Sequence, residues 1–168
     1  MRLPQEFYMQ SAVDMAPLLL GKVLCRSIEG NVIRLRITET EAYAGESDTA
    51  CHAHRGKTPR NSVMYEAGGI AYIYLCYGIH NLLNVVAASE GAPEAVLIRG
   101  VEGITGPGRL TKSMQIDRTL NRESFITSDT LWLEDGAPLA YETSPRVGID
   151  YASEIDRARL WRFISLNH

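Results

Sequence analysis

The residues best suited to chemistry lie in one segment, Val32–Tyr43, which ends Thr-Glu-Thr-Glu-Ala-Tyr. It reads as a long strand, and period-two alternation puts Ile33, Leu35, Ile37, Glu39, Glu41 and Tyr43 on a single face. Two carboxylates then continue an apolar face, where an ionised side chain is costly unless it is paired. A carboxylate held beside apolar surface at a strand end is one way a general base is tuned. A solvated sheet end is the plainer alternative. Only one of the two acids need be catalytic, leaving the other to pair with an arginine. Arg99, which closes the apolar run Val96-Leu97-Ile98, is a natural partner for either.

A second constellation is aromatic. Tyr72, Tyr74 and Tyr77 crowd together and His80 follows. Tyr72 and Tyr74 share a strand face, where tyrosines ordinarily serve cross-strand packing. Tyr77 falls at a turn beside Gly78, where packing explains a bulky ring poorly. A wedge entering a base stack explains it better. Asn84, inside Leu82-Leu83-Asn84-Val85-Val86, is either a core amide bonded to backbone or a pocket-lining group. Cys51, His52 and His54 lack the paired spacing of a structural zinc site, and no metal or other cofactor is expected. Gly106-Pro107-Gly108-Arg109 matches no nucleotide-binding fingerprint. Free amides at a helix N-terminus beside Arg109 and Lys112 still suit one phosphate.

These groups need elements to hold them. A helix is expected near Ser11–Leu24, capped by Ser11 or Asp14, with Pro17 favouring Asp14 because a proline is best tolerated in the first turn. Residues 45–70, polar and punctuated by Gly45, Gly56, Pro59, Gly68 and Gly69, read as a functional loop rather than a packed element. Ile70–Cys76 and Ile79–Ala87 form a hairpin around Tyr77-Gly78, and Ala95–Val101 is a further strand. Gly106-Pro107-Gly108 opens a short helix carrying Leu110 and Met114 on one face. Thr130–Leu133 with Asp135-Gly136 suggests another hairpin, and Ala152–Trp161 a last short helix. Strands joined mostly by hairpins point to an α+β fold: one compact domain spanning 1–168, with a curved, mostly antiparallel sheet, flanking helices and a protruding hairpin that bears Tyr77.

The chain has 168 residues, 45% hydrophobic and 22% charged, which excludes a disordered or collagen-like protein. No apolar run approaches the roughly 20 residues of a membrane helix, and MRLPQEFYMQ lacks the basic and apolar regions of a signal peptide. A cytoplasmic protein without membrane association is therefore expected. The net charge of −3 hides an asymmetry: residues 55–122 carry 8 basic and 5 acidic side chains, whereas 123–168 carry 4 and 8. Most basic residues are arginines, the better bidentate phosphate ligands.

In this order along the chain, TETEAY at 38–43, the His52 loop running into TPRN at 58–61, YIYLCYG at 72–78, Asn84, LIRGVE at 97–102, GPGRL at 106–110 and RVGI at 146–149 resemble one family. That family is the alkyladenine (3-methyladenine) DNA glycosylases, and the resemblance covers nearly the whole chain. It implies that Glu41 is the general base that activates a water against the sugar's anomeric carbon, with Arg99 beside them. It implies that Tyr43, His52 and Tyr74 wall the flipped base, that Tyr77 fills the gap left in the duplex, and that Asn84 screens out normal guanine. The implied substrate is duplex DNA holding a damaged purine such as 3-methyladenine, 7-methylguanine, hypoxanthine or ethenoadenine. A monomer is expected to act on it.

An alkylated purine is cationic, so tyrosine faces attract it and it leaves readily. Of the three lysines, Lys22, Lys57 and Lys112, none sits in the constellation as a Schiff-base nucleophile, so water attack without strand cleavage is expected. Arg55, Lys57, Arg60, Arg109 and Lys112 would grip the DNA backbone. Two other readings compete: a non-catalytic module that stacks nucleic acid on Tyr74 and Tyr77, and a sugar hydrolase using Glu39 with Glu41. Carboxylates two apart on a strand sit side by side, whereas such hydrolases flank the bond from opposite sides.

Overall fold

A computed structural model describes residues 1–166. Its organising element is the long strand β2 (Asn31–Tyr43), preceded by β1 (Val23–Ile28). The sheet runs β3 (Ala71–Cys76), β4 (His80–Ala87), β5 (Glu94–Val101), β2, β1 and β7 (Leu131–Glu134), with every pairing antiparallel. The two-residue β6 (Ile104–Thr105) pairs with β5, and β8 (Tyr141–Ser144) pairs with β9 (Arg162–Ser165), which returns to β2 at Glu39–Glu41. Among the described residues, three short α-helices flank the sheet: α1 (Ala12–Leu19), α2 (Pro107–Ser113) and α3 (Glu154–Ala158). The curled antiparallel sheet with few helices is the expected α+β architecture. Among the described residues, no helix is long and apolar enough to cross a membrane.

Several boundaries differ from expectation. The first helix ends at Leu19, and Val23 and Leu24 belong to β1. Its cap is Ser11, whose Oγ accepts from the Asp14 amide at 3.1 Å, and not Asp14. Pro17 therefore lies inside the helix. The lost hydrogen bond is tolerated because Met15, Ala16 and Leu19 are fully buried and the helix closes only two residues later. β7 forms no hairpin across Asp135-Gly136; it pairs with β1, and the chain continues to β8. The last helix is shorter than Ala152–Trp161, because Arg162–Ser165 joins the sheet as β9. Residues 45–70 are indeed mostly irregular, but they are packed: Ala50, Ala53, Val63 and Met64 are buried.

One irregularity decides which side chains can meet. Opposite β5, Ile37 pairs with Val101, Glu39 with Gly100 and Thr40 with Ile98, so first β2 (at Thr38) and then β5 (at Arg99) carries one extra residue. The alternation changes phase at these bulges. Ile33, Leu35 and Ile37 pack with the main core, but so does Ala42, and Thr40 Oγ1 donates to the Ala16 carbonyl of α1 at 2.8 Å. The expected common face of Ile37, Glu39 and Glu41 is thus corrected: the acids project from the side of the sheet opposite Ile37. Gly100 permits this close crossing, since a Cβ there would meet Thr38 Oγ1 at 3.1 Å and Glu39 Cβ at 3.3 Å.

Candidate active site

On the face away from the main core, one row crosses four strands. Tyr72 pairs with Asn84, Asn84 with Leu97, and Leu97 with Glu41. Tyr43 lies two residues further along β2, and Tyr74 two residues further along β3. Neighbouring strands thus bring an acid, an amide and three phenols together from segments far apart in the chain.

Glu41 is fully buried, and both of its carboxylate oxygens are occupied. The Tyr43 phenol donates to Oε1 at 2.8 Å, and the Val147 amide donates to Oε2 at 2.7 Å. Arg99 Nε stands 3.7 Å from Oε2 but is 2.9 Å from Glu39 Oε2, which also accepts from Arg162 Nε at 2.8 Å. Glu39 is therefore the structural partner of two arginines, and Arg99 leans from that pair toward Glu41. Burial drives the Glu41 carboxyl up from the ordinary glutamate value, opposed by Arg99, the Val147 amide, the Tyr43 hydroxyl and Arg162. Burial and the adjacent Glu41 raise Tyr43 well above its usual value, so its phenol stays a donor.

A groove of about 600 Å³ runs over this region, lined by Tyr43, Arg99 and Val147 together with Tyr74, Tyr77 and Arg109. Glu41 contributes no surface of its own; it lies directly beneath the first three. Behind the groove is a narrow slot between Tyr43, His52, Tyr72, Tyr74, Asn84 and Tyr151. His52 stands 4.4 Å from Tyr74, centroid to centroid, and its Nδ1 is 2.9 Å from the Tyr72 hydroxyl. Partial burial and nearby Arg60 push the imidazole down to about 4, so it is neutral near pH 7. Asn84 donates to the Tyr72 carbonyl at 3.2 Å and lines the slot. The Cys51-His52-x-His54 run disperses: Cys51 Sγ approaches the Pro93 carbonyl and His54 Nδ1 the Glu46 carbonyl.

At the tip of the β3–β4 hairpin, Tyr77 has φ +52° and Gly78 φ +67°, a tight turn that leaves Tyr77 90% exposed and Ile79 73% exposed. The expected DNA-gripping residues Arg55, Lys57, Arg60, Arg109 and Lys112 are all exposed but not equivalent. Arg109 and Arg60 both line the groove, and Arg60 lies over the Tyr74 ring at 5.3 Å. Arg55 lines a neighbouring basin with His54, while Lys57 stacks on Tyr65 and Lys112 sits outside the groove.

The sequence profile of the methylpurine-DNA glycosylase family matches residues 6–106 and 102–168. The chain belongs to that family. Relatives named "Putative 3-methyladenine DNA glycosylase" include one from Borreliella burgdorferi (strain ZS7), 45% identical over 94% of this chain and 92% of the relative. Others are from Psychrobacter cryohalolentis, 43% identical over 89% and 85%, and Methanocella arvoryzae, 43% identical over 98% and 92%. Some features of the site left no mark in the side-chain pattern. The Val147 amide is a backbone donor and leaves no trace in residue type. Tyr151, whose hydroxyl donates to the Ala50 carbonyl at 2.8 Å, gains its place in the slot only through tertiary contact. Arg146, beside Val147 in RVGI, is buried with Asp48 across nearly a hundred residues of sequence.

Proposed function

We propose that this protein is a monofunctional base-excision glycosylase acting as a monomer on duplex DNA, in the cytoplasm. It extrudes a damaged purine into the groove, against the rings of Tyr43, His52 and Tyr74, and hydrolyses its N-glycosidic bond. The candidate substrates are 3-methyladenine, 7-methylguanine, hypoxanthine and ethenoadenine. The observation that carries this reading is the placing of Glu41: a buried carboxylate held by Tyr43, Val147 and Arg99, each of which lines the groove above it.

In the proposed reaction a water entering from the groove gives a proton to Glu41 while its oxygen bonds to C1′ of the flipped nucleotide. The C1′–N bond breaks, and the bonding pair leaves with the base. An N-alkylated purine departs as a neutral molecule, so no acid is needed. Tyr43, neutral His52 and Tyr74 offer π faces to the cationic base without adding positive charge. Exposed Tyr77, with Ile79 beside it, is shaped to occupy the gap in the stack. Asn84 presents an amide at the slot, where it discriminates purine edges. Arg99, already balanced by Glu39, stabilises the ionised base without neutralising it.

Single-turnover incubation with duplexes carrying one ethenoadenine or hypoxanthine, and with methylated DNA, tests the reading. Release of free base and an alkali-labile abasic site, with the strand intact before alkali, is expected. No base release from any of these substrates overturns it.

A further inference from the structure

Glu41 depends on two donors, and both lead back to one buried side chain. Arg146 is 5% exposed. Its guanidinium makes a two-pronged pair with Asp48, Nη1 to Oδ2 at 2.6 Å and Nη2 to Oδ1 at 3.0 Å. Nη1 also donates to the Ala42 carbonyl at 3.0 Å, and Nη2 to the Asp156 carbonyl at 3.3 Å. The guanidinium lies 5.0 Å from the ring centroids of both Tyr43 and Trp161. Asp48 is fixed in turn, accepting from the amides of Ala44 and Ala50.

These contacts grip both supports of the acid. Tyr43 is fixed through its ring and through the carbonyl of Ala42, the residue between it and Glu41. Val147 is itself 45% exposed to solvent, so its amide takes its position from the residue before it, which is Arg146. A buried ion pair is seldom a net gain in stability over an apolar packing of the same volume, so its presence beside a reactive group calls for another account. We propose that Arg146, clamped by Asp48, is a positioning residue that holds the Tyr43 hydroxyl and the Val147 amide on the Glu41 carboxylate. The inference rests on the reading of Glu41 as general base.

Arg146→Lys keeps the charge but removes the planar fork and the stacking surface. Trp161→Leu keeps the ion pair and removes one wall of the stack. Both donors favour ionised Glu41, so loosening them raises its titration midpoint. Glu41 also faces Arg99 of β5, Arg162 of β9, Glu39 on its own strand and the phenols of Tyr74 and Tyr151, and neither variant replaces any of these.

The readout is the carboxyl-carbon NMR titration of Glu41 in the full-length protein, assigned with Glu41→Gln, alongside the pH profile of single-turnover excision. In Arg146→Lys, the Glu41 midpoint and the acid limb move together to higher pH. Excision below the midpoint slows roughly tenfold, with lesion binding within about twofold of wild type. Trp161→Leu shifts both in the same direction by less, and decides alone if Arg146→Lys does not fold. A Glu41 titration unmoved in the folded variants overturns the positioning role, whatever the activity. Wild-type excision that ignores the Glu41 titration overturns the general-base reading instead.

Discussion

Ile37 and Glu41 lie four residues apart on one strand and face opposite sides of the sheet. Ile37 packs in the main core, whereas Glu41 meets Tyr43, Arg99 and the Val147 amide on the other face. The phase change between them is what takes an acid off a core-facing register and puts it under a groove. It depends on Gly100 lying flat against Thr38 and Glu39. In Gly100→Ala, Thr38 or Glu39 must give by a few tenths of an ångström, and urea unfolding is expected to show a loss of about 1–3 kcal/mol. Unchanged stability would mean that the crossing is looser than its distances imply.

Glu41→Gln is expected to fold and to bind a lesion duplex with near wild-type affinity. Its amide oxygen still accepts the Val147 bond, and the Tyr43 hydroxyl can turn to accept from the new amide. Excision should fall by about 10²–10⁴-fold, the usual contribution of a general base. Single-turnover excision and gel-shift titration separate the two effects. A variant cutting at the wild-type rate removes Glu41 from the mechanism and favours the stacking-module reading.

Burial raises the folded-state titration of Glu41 above its unfolded value. Between the two midpoints the folded protein retains a proton that the unfolded chain has lost, so this group's contribution to stability declines as pH rises through that window. Wild type should therefore lose stability relative to Glu41→Gln on going from acid to neutral pH. In the proposed mechanism activity is expected to run the other way, because a general base works ionised. Paired melts from acid to neutral pH check the sign.

Tyr77→Ala removes a side chain that is 90% exposed, so the thermal midpoint should hardly move. The fluorescence change of ethenoadenine on binding should shrink, because nothing then fills the stack. An unchanged optical signal would reduce Tyr77 to a surface residue.

Asp48→Asn leaves the Arg146 guanidinium buried without a counter-charge. Breaking a buried pair from one side costs about 3–5 kcal/mol, so urea unfolding should show a loss on that scale. A loss below about 1 kcal/mol, the range of exposed pairs, would mean that solvent reaches the pair.

Much of this was legible in residue order. Glu41 and Tyr43 stand out because carboxylates in an otherwise apolar strand need a reason. Tyr77 stands out because a large ring beside a glycine at a turn has nothing to pack on. The strands β2 and β5 and the β3–β4 hairpin followed from alternation and turn residues, which act over a few positions. Local pattern reached no further. It placed Glu41 on the face of Ile37, since a bulge is a property of two strands crossing and leaves period-two sequence undisturbed. It joined Val23 and Leu24 to a helix, because the partner that draws them into β1 is β2. By itself the sequence determined which side chains are able to do chemistry and which short elements carry them. Only the tertiary structure decided that Val147, Arg146 and Asp48 meet at Glu41, because burial and long-range hydrogen bonding set a carboxylate's neighbours, and neither is encoded at the position of the acid.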